Sequence, residues 1–396
     1  MTFALVLLVT AAGVIAVLTT ILFLETIVVA LTGQHTRKSQ SVCAPRPRVC
    51  VLVPAHNEGQ NLLPTIADIK AQLALGDRLL VVADNCSDDT AAIASAAGAE
   101  TIARKDITKI GKGYALDWGI RHISADPPSV IIVIDADCRL FADTIDRLAR
   151  TTSATGRPSQ ALYLMTAPPG SAINYRVAEF AWRVKNWVRP LGLHALWLPC
   201  QLVGTGMAFP WRVIQSASLA TDHLVEDVKL GLDLAAAGHP PLFCPAAIVK
   251  STFPPTHKGA TSQRERWEHG HLGLSLAKAP GFICRALISG NVDLLALALD
   301  IAVPPLTLLG SLNVLVLLTT SLAVLFGVPP LGLYISAVSF TAFLVAVFLA
   351  WWTHGRDVLP ASSFRLVGSY IFAKLGLYLR LLRHGPIARW TRTDRQ

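Results

Sequence analysis

Apolar positions fall along this chain in two rhythms. Residues 3–24 are apolar without interruption, and the run continues past Glu25 to Leu31; residues 301–326 and 331–352 repeat the pattern. Each run is long enough to cross a bilayer as a helix. The short uncharged turn at 327–330 makes the last two an antiparallel hairpin. Between about residues 48 and 255 the runs shrink to strand length and turn β-branched: 49–54, 79–83, 130–134, then 161–166 and 202–209. Helical spacing fills the gaps at 61–75, 90–97 and 142–150, and again at 173–188, which is rich in Trp and Arg. Strands alternating with helices predict an α/β domain with a mostly parallel sheet, flanked by transmembrane helices.

Basic residues orient the chain. Arg37, Lys38, Arg46 and Arg48 follow the first span, so the positive-inside rule places the N-terminus outside and the next domain in the cytoplasm. The first span has no basic residue before it, which argues against a cleaved signal peptide. Residues 364–382 contain Arg365, Lys374 and Arg380 and lead into a basic tail. As a fourth span they would put that tail outside, so 364–396 reads as an interfacial amphipathic helix with its tail. Residues 276–300, with Asp293 and Asp300 among leucines, read as interfacial too. The expected organisation is therefore a span at 1–32, a globular domain at 48–275, an interfacial segment at 276–300, a hairpin at 301–352 and the tail. The expected location is the cytoplasmic (inner) membrane, with the domain facing the cytoplasm.

Composition sharpens this. Hydrophobic residues make up 52% and charged ones 15%, too apolar for an ordinary soluble enzyme. The net charge of +9 needs an anionic partner. No nucleic-acid-binding signature is present, so no nucleic acid is expected; membrane lipids and an anionic substrate account for the excess. Seven scattered cysteines without a CxxC pair argue against a disulfide framework or a zinc site.

The candidate chemistry sits at the predicted strand ends. Pro54, His56, Asn57 and Glu58 close the first strand, where Asn and Glu serve equally well as helix caps. Asp84, Asp88 and Asp89 follow the second; a carboxylate there can accept the imide N–H of uracil, while Asp88 or Asp89 can be an N-cap. Asp135 and Asp137 follow the third, and acids spaced i, i+2 can hold a hard cation such as Mg2+ or Mn2+ while a diphosphate fills the other positions. Lys112, between Gly111 and Gly113, can meet a phosphate or ribose, or stand solvated. Glu226 and Asp227 begin a helix; a carboxylate facing an acceptor hydroxyl can take its proton, although an acid pair also suits a helix start by itself. Gln263, Arg266 and Trp267 share one helix face, where Arg can grip a diphosphate and indole can stack on a sugar, or both can anchor at a membrane interface.

Together these residues resemble the family 2 inverting glycosyltransferases, specifically the membrane-integrated branch of cellulose, chitin and hyaluronan synthases and related exopolysaccharide enzymes. The match covers roughly residues 48–270. The resemblance implies a GT-A-like nucleotide-sugar-binding domain at the cytosolic membrane face. It implies a nucleotide pocket lined by the 54–58 loop, with Asp84 on uracil and Asp88 in the same D-x-x-x-D pattern. It implies a D-x-D element at Asp135 and Asp137, with Asp137 the direct metal ligand, and Asp227 as base. Gln263, Arg266 and Trp267 match Q-x-x-R-W, and Gly204 and Thr205 match an acceptor-lining loop. The implied partners are a UDP-sugar and a glycan or lipid-linked acceptor, with an oligomer or export complex compatible. The chain departs from the family at Ala83-Asp84-Asn85-Cys86, where Asp-Asp-Gly-Ser is common, and at Val225, where many relatives have Thr. Three spans are fewer than polymer-secreting synthases use, so single transfer to a lipid or polyprenyl-linked acceptor is the alternative. A non-catalytic scaffold of an export complex is a remoter one.

Overall fold

The computed structural model describes residues 2–33, 45–221 and 225–363. The interfacial helix and tail expected at 364–396 lie outside them, as do Arg37 and Lys38.

Among the described residues eight strands form one mixed sheet: β1 (Val49–Ala55), β2 (Arg78–Asp84), β3 (Glu100–Arg104), β4 (Val130–Val133), β5 (Arg139–Leu140), β6 (Ser159–Thr166), β7 (Met207–Pro210) and β8 (Leu242–Thr252), in the order β3-β2-β1-β4-β7-β6-β8-β5. The four strands from β3 to β4 run parallel, and β7 pairs antiparallel with β4. Helices α1 (Thr2–Thr32), α2 (Leu63–Lys70), α3 (Thr90–Ala96), α4 (Lys112–Ile123), α5 (Thr144–Thr155), α6 (Ile173–Arg183), α7 (Arg189–Ala195) and α8 (Trp211–Ile214) accompany it. They are followed by α9 (Glu226–Ala236), α10 (His257–Ser289), α11 (Val292–Ala302), α12 (Leu306–Leu325) and α13 (Leu331–His354).

Alternation along β1 sorts its side chains to two cores. Val49, Val51 and Val53 pack with Ile66 and Ile69 of α2 and Ile145 and Leu148 of α5. Cys50 and Leu52 face Leu116 and Ile120 of α4. With both faces covered, the strands are continuously apolar, and their polar residues are confined to the ends. Because β1, β2 and β4 are parallel, His56, Asp84 and Asp135 are delivered to one edge of the sheet, beside the reversal at β7.

Among the described residues four helical stretches are long and apolar enough to cross a membrane: Phe3–Thr32, Glu265–Ser289, Leu306–Leu325 and Leu331–His354. The second adds to the three spans expected; it begins with the charged turn around Glu265, Glu268 and His269, which masked the apolar stretch behind it. The expected interfacial segment at 276–300 is resolved into the end of α10 and most of α11. The α1, α12 and α13 helices are tied by short polar bonds: Asn313 Nδ2 donates to Thr19 Oγ1 at 3.0 Å, and Ser339 Oγ donates to Asn313 Oδ1 at 2.7 Å.

The domain is keyed to α1 by a buried ionic trio. Arg189 Nε donates to Glu25 Oε2 at 2.7 Å, and its Nη2 to Asp300 Oδ1 at 2.5 Å. At Gly192 a Cβ would lie 2.1 Å from the Glu25 carbonyl oxygen, so only glycine lets α7 lie this close on α1.

Several strands differ from the sequence reading. The run at 202–209 becomes strand only from Met207, because Gly204 at φ +87° and Gly206 at φ +65° turn the chain first. The reading omitted β3, β5 and β8. β3 is a short edge strand, β5 has two residues, and β8 carries a proline and meets a register shift in β6, which blurs its pattern. The helix expected at 61–75 is confined to a 3-10 turn and α2.

Candidate active site

The first cluster is built at the ends of β1 and β2. Asn57 takes a left-handed backbone (φ 53°), which Asn tolerates, and its Oδ1 accepts the Ser87 N–H at 2.7 Å. His56 Nδ1 donates to the Asp84 carbonyl at 2.7 Å. The Asp88 carboxylate accepts the Thr90 hydroxyl at 2.6 Å and its N–H at 3.1 Å; Thr90 Oγ1 in turn accepts the N–H groups of Glu58 and Gly59, each at 2.9 Å. Asp88 thus braces the two loops against each other, close to the capping role that its position allowed. Asp84 is buried, and Arg104 Nη1 donates to its Oδ1 at 2.5 Å. Burial pushes the Asp84 carboxyl above the usual range, and Arg104 pulls it partly back. Asn85 and Arg104 both bond to Asp84 Oδ1, and among the described residues Oδ2 accepts no hydrogen bond. The sequence reading missed Arg104 because it missed β3.

The second cluster joins β4, α4, the loop before β7 and α9. Lys112, in the first turn of α4, pairs with Asp135 Oδ1 and donates to the Gly204 carbonyl at 2.6 Å. Buried Thr205 accepts the Asp135 N–H on its hydroxyl at 3.0 Å, and its own carbonyl accepts from Gln160 Nε2 at 2.9 Å. A Cβ at Gly204 would lie 3.2 Å from Asp227 Oδ2 and 3.5 Å from Lys112 Nζ. The glycine therefore lets the α9 acid pair approach the Lys112–Asp135 pair. Burial pushes Glu226 up to about 8, aided by Asp227 and opposed by Lys112. Burial also raises Asp227, against the pull of Lys112 and Lys185. Both side chains keep an accessible face. For Lys112, burial works downward, but Asp135, Glu226 and Asp227 outweigh it and raise its ammonium pKa.

Asp135, Asp137 and Cys138 lie close enough to share a metal ion. Burial raises the Cys138 thiol far above its ordinary value, so it stays protonated and the usable donors are the two carboxylates. Ser251 Oγ of β8 donates to Asp137 Oδ2 at 3.1 Å and fixes that side chain. Two half-buried carboxylates, one shared with a lysine, fit a hard divalent cation that also takes phosphate oxygens.

The Q-x-x-R-W residues divide. Gln263 is buried, Arg266 is half-buried, and Trp267 packs on Trp182 with ring centroids 4.8 Å apart. Trp267, Glu268 and His271 of α10 line a groove together with Lys185 and Trp182. Lys185 sits on a π-helical turn (Val184–Val188) between α6 and α7, a distortion frequent at functional sites. Burial lowers its pKa while Asp227 raises it. The sequence reading placed Lys185 inside a helix and gave it no role; only the π turn and the approach of α9 single it out.

Comparison with known proteins agrees with this geometry. The family model described as glycosyltransferase like family 2 matches residues 45–270. The probable glycosyltransferase YdaM of Bacillus subtilis (strain 168) is 28% identical over 251 residues, 57% of this chain and 55% of that protein. The uncharacterized glycosyltransferase Mb0553 of Mycobacterium bovis is 35% identical over 100 residues, 25% of this chain and 41% of that protein. The chain thus spans about half the length of the curated relatives it matches. Among solved structures, the mannosyltransferase PcManGT of Pyrobaculum calidifontis, in complex with GDP-Man and Mn2+, superposes with a TM-score of 0.54 at 14% identity, covering 94% of this chain and 99% of that one. That likeness is one of fold, a GT-A-like sheet with attached helices. With its sheet, its strand-end acids and a family match running from residue 45 to 270, this chain belongs to the glycosyltransferase-like family 2.

Proposed function

We propose that this chain is an inverting glycosyltransferase that moves a sugar from a UDP-sugar to an acceptor hydroxyl at the cytoplasmic face of the cell membrane, in the cellulose, chitin and hyaluronan synthase-like branch that serves cell-surface glycan synthesis. The observation that carries the reading is the gathering of Asp227, Gly204, Lys112 and Asp135 at one sheet edge. Asp84 Oδ2 accepts the imide N–H of the base, with Arg104 holding the carboxylate ionised and aimed. Lys112 and Arg266 face the diphosphate as cations. Asp135 and Asp137 would hold a divalent ion, Mg2+ or Mn2+, which would supply positive charge against the departing diphosphate. The Asp227 carboxylate takes the acceptor's O–H proton, and the oxygen attacks the anomeric carbon. The bond from that carbon to the diphosphate oxygen breaks, and its electron pair leaves with the UDP. One displacement turns an α-linked donor into a β-glycoside.

The test is UDP release and labelled-sugar transfer by membranes containing the protein, over a panel of UDP- and GDP-sugars with Mn2+ or Mg2+ and extracted lipid. Release from one donor, lost on chelation and restored by the ion, supports the reading. No release with any donor refutes it. A second reading is single transfer to a lipid-linked acceptor, favoured by the small number of candidate spans among the described residues.

A further inference from the structure

A groove lies at the foot of the candidate span bundle, and a smaller cavity that shares Lys185, Arg189 and His271 with it is lined by Val203 and Val228, the chain neighbours of Gly204 and Asp227. The groove's polar side carries Trp182, Trp267, Glu268, His271 and Lys185, two of which, Lys185 and His271, also line the smaller cavity. Its outer wall is apolar: Leu22 of α1, Ala181 of α6, Val184, and Val303, Pro304 and Leu306 at the start of α12. Its empty space, open solvent at the mouth included, is about 860 Å3.

Depth along the spans locates the mouth. Thr19 of α1 is hydrogen-bonded to Asn313 of α12, within the bundle. Leu22 lies three residues from Thr19 toward the domain, about 4.5 Å along the helix. Leu306 and Thr307 are the first residues of α12. The apolar wall therefore stands where the candidate spans leave the domain. Arg189, which also lines the groove, is neutralised by Glu25 and Asp300. Lys185 and Glu268 balance each other in sign. A wall of aliphatic carbon offers a glycan chain no replacement for its water hydrogen bonds, whereas hydrocarbon loses nothing there.

We infer that the acceptor is a hydroxyl-bearing lipid, its hydrocarbon chain lying along Leu22, Ala181, Val303 and Leu306 and its head group reaching past Trp267 and Lys185 toward Asp227. This rests on the glycosyltransferase reading above. The Pro304-Pro305 pair ends α11 and starts α12 without backbone N–H donors of its own, which keeps this part of the wall apolar.

The experiment uses the purified full chain in nanodiscs, the donor that shows release, and alkyl β-glucosides of rising chain length as probes, below micellar concentration. Burial of each methylene carries a factor of about four, so kcat/KM rises at least tenfold from a butyl to an octyl chain and levels off when the groove is full. Ala181→Trp, its fold checked by circular dichroism and thermal unfolding, flattens that series. A flat series in the unaltered protein, soluble oligosaccharides serving as well as octyl glucoside, or an undiminished slope in Ala181→Trp each overturns the inference. Donor hydrolysis without added acceptor separates the two levels. Hydrolysis with a flat series sinks the lipid acceptor alone, while absence of hydrolysis and transfer sinks both readings.

Discussion

Arg104→Met probes the nucleotide end of the site with a sign that can be worked out. The Arg104 and Asp84 side chains are 7% and 9% exposed, so their 2.5 Å bond is a buried ion pair. Removing one partner of such a pair costs about 3–5 kcal/mol. Asp84 keeps its bond from Asn85, and the carboxyl can protonate, so the lower end, about 3 kcal/mol, is expected. For a domain of this size the midpoint falls by about 2–4 °C per kcal/mol, or about 6–12 °C. Burial already holds Asp84 above its ordinary value, and Arg104 is the largest opposing influence. Without it the carboxyl rises further. A carboxyl raised in the folded state binds its proton more tightly there than in the unfolded chain. The folded state therefore loses stability as pH rises through the ordinary aspartate range to the folded value, and regains it on acidification. The deficit should be largest at neutral pH and above and should shrink toward pH 5. A smaller part, from the lost bond of Arg104 Nη2 to the Lys109 carbonyl at 2.8 Å, stays constant with pH. Thermal unfolding of the detergent-purified protein across pH, with the double variant Asp84→Asn/Arg104→Met, measures both parts. A deficit equal at pH 5 and pH 8, or no recovery in the double variant, would refute the buried-charge argument.

Three further outcomes follow from the catalytic cluster. Asp227→Asn should lower transfer by about 10²–10⁴-fold, the range for loss of a general base, with donor affinity by calorimetry nearly unchanged; full activity would remove Asp227 from that role. Because burial raises Asp227, the acid limb of kcat/KM should lie above the ordinary carboxylate range. Since Glu226 holds its proton up to about pH 8, Glu226→Gln should leave the profile below that pH in place. A limb at the value of a free aspartate, or one displaced by Glu226→Gln, would contradict the pairing. Gly204→Ala puts a methyl 3.2 Å from Asp227 Oδ2 on a backbone at φ +87°. It should cost about 1–2 kcal/mol in thermal stability, and activity should fall with it.

Much of this was legible along the chain. Runs of β-branched residues marked β1, β2 and β4 because strands buried on both faces tolerate almost nothing else, and the acids stood out where those runs stopped. The three most apolar candidate spans were equally plain, since crossing a bilayer demands unbroken apolar length. Elements without such a constraint stayed hidden. β3 lies at an edge of the sheet, and β8 is held in place by long-range pairing with β6 rather than by its own pattern. Their loss concealed Arg104 and Ser251, which join Asp84 and Asp137 only after the sheet is assembled.

By itself, the sequence determined the kinds of groups available and their order: acids at strand ends, a lysine between glycines, and long apolar stretches on either side. Local pattern suffices for this because burial and strand termination are imposed residue by residue. Only the tertiary structure decided that Lys112, Gly204 and Asp227, far apart in the chain, share one cluster, and that Lys185, on a π-helical turn, lines a groove at the foot of the candidate spans. Those relations depend on which elements pack together, and packing is set by the whole sheet and bundle rather than by any segment read alone.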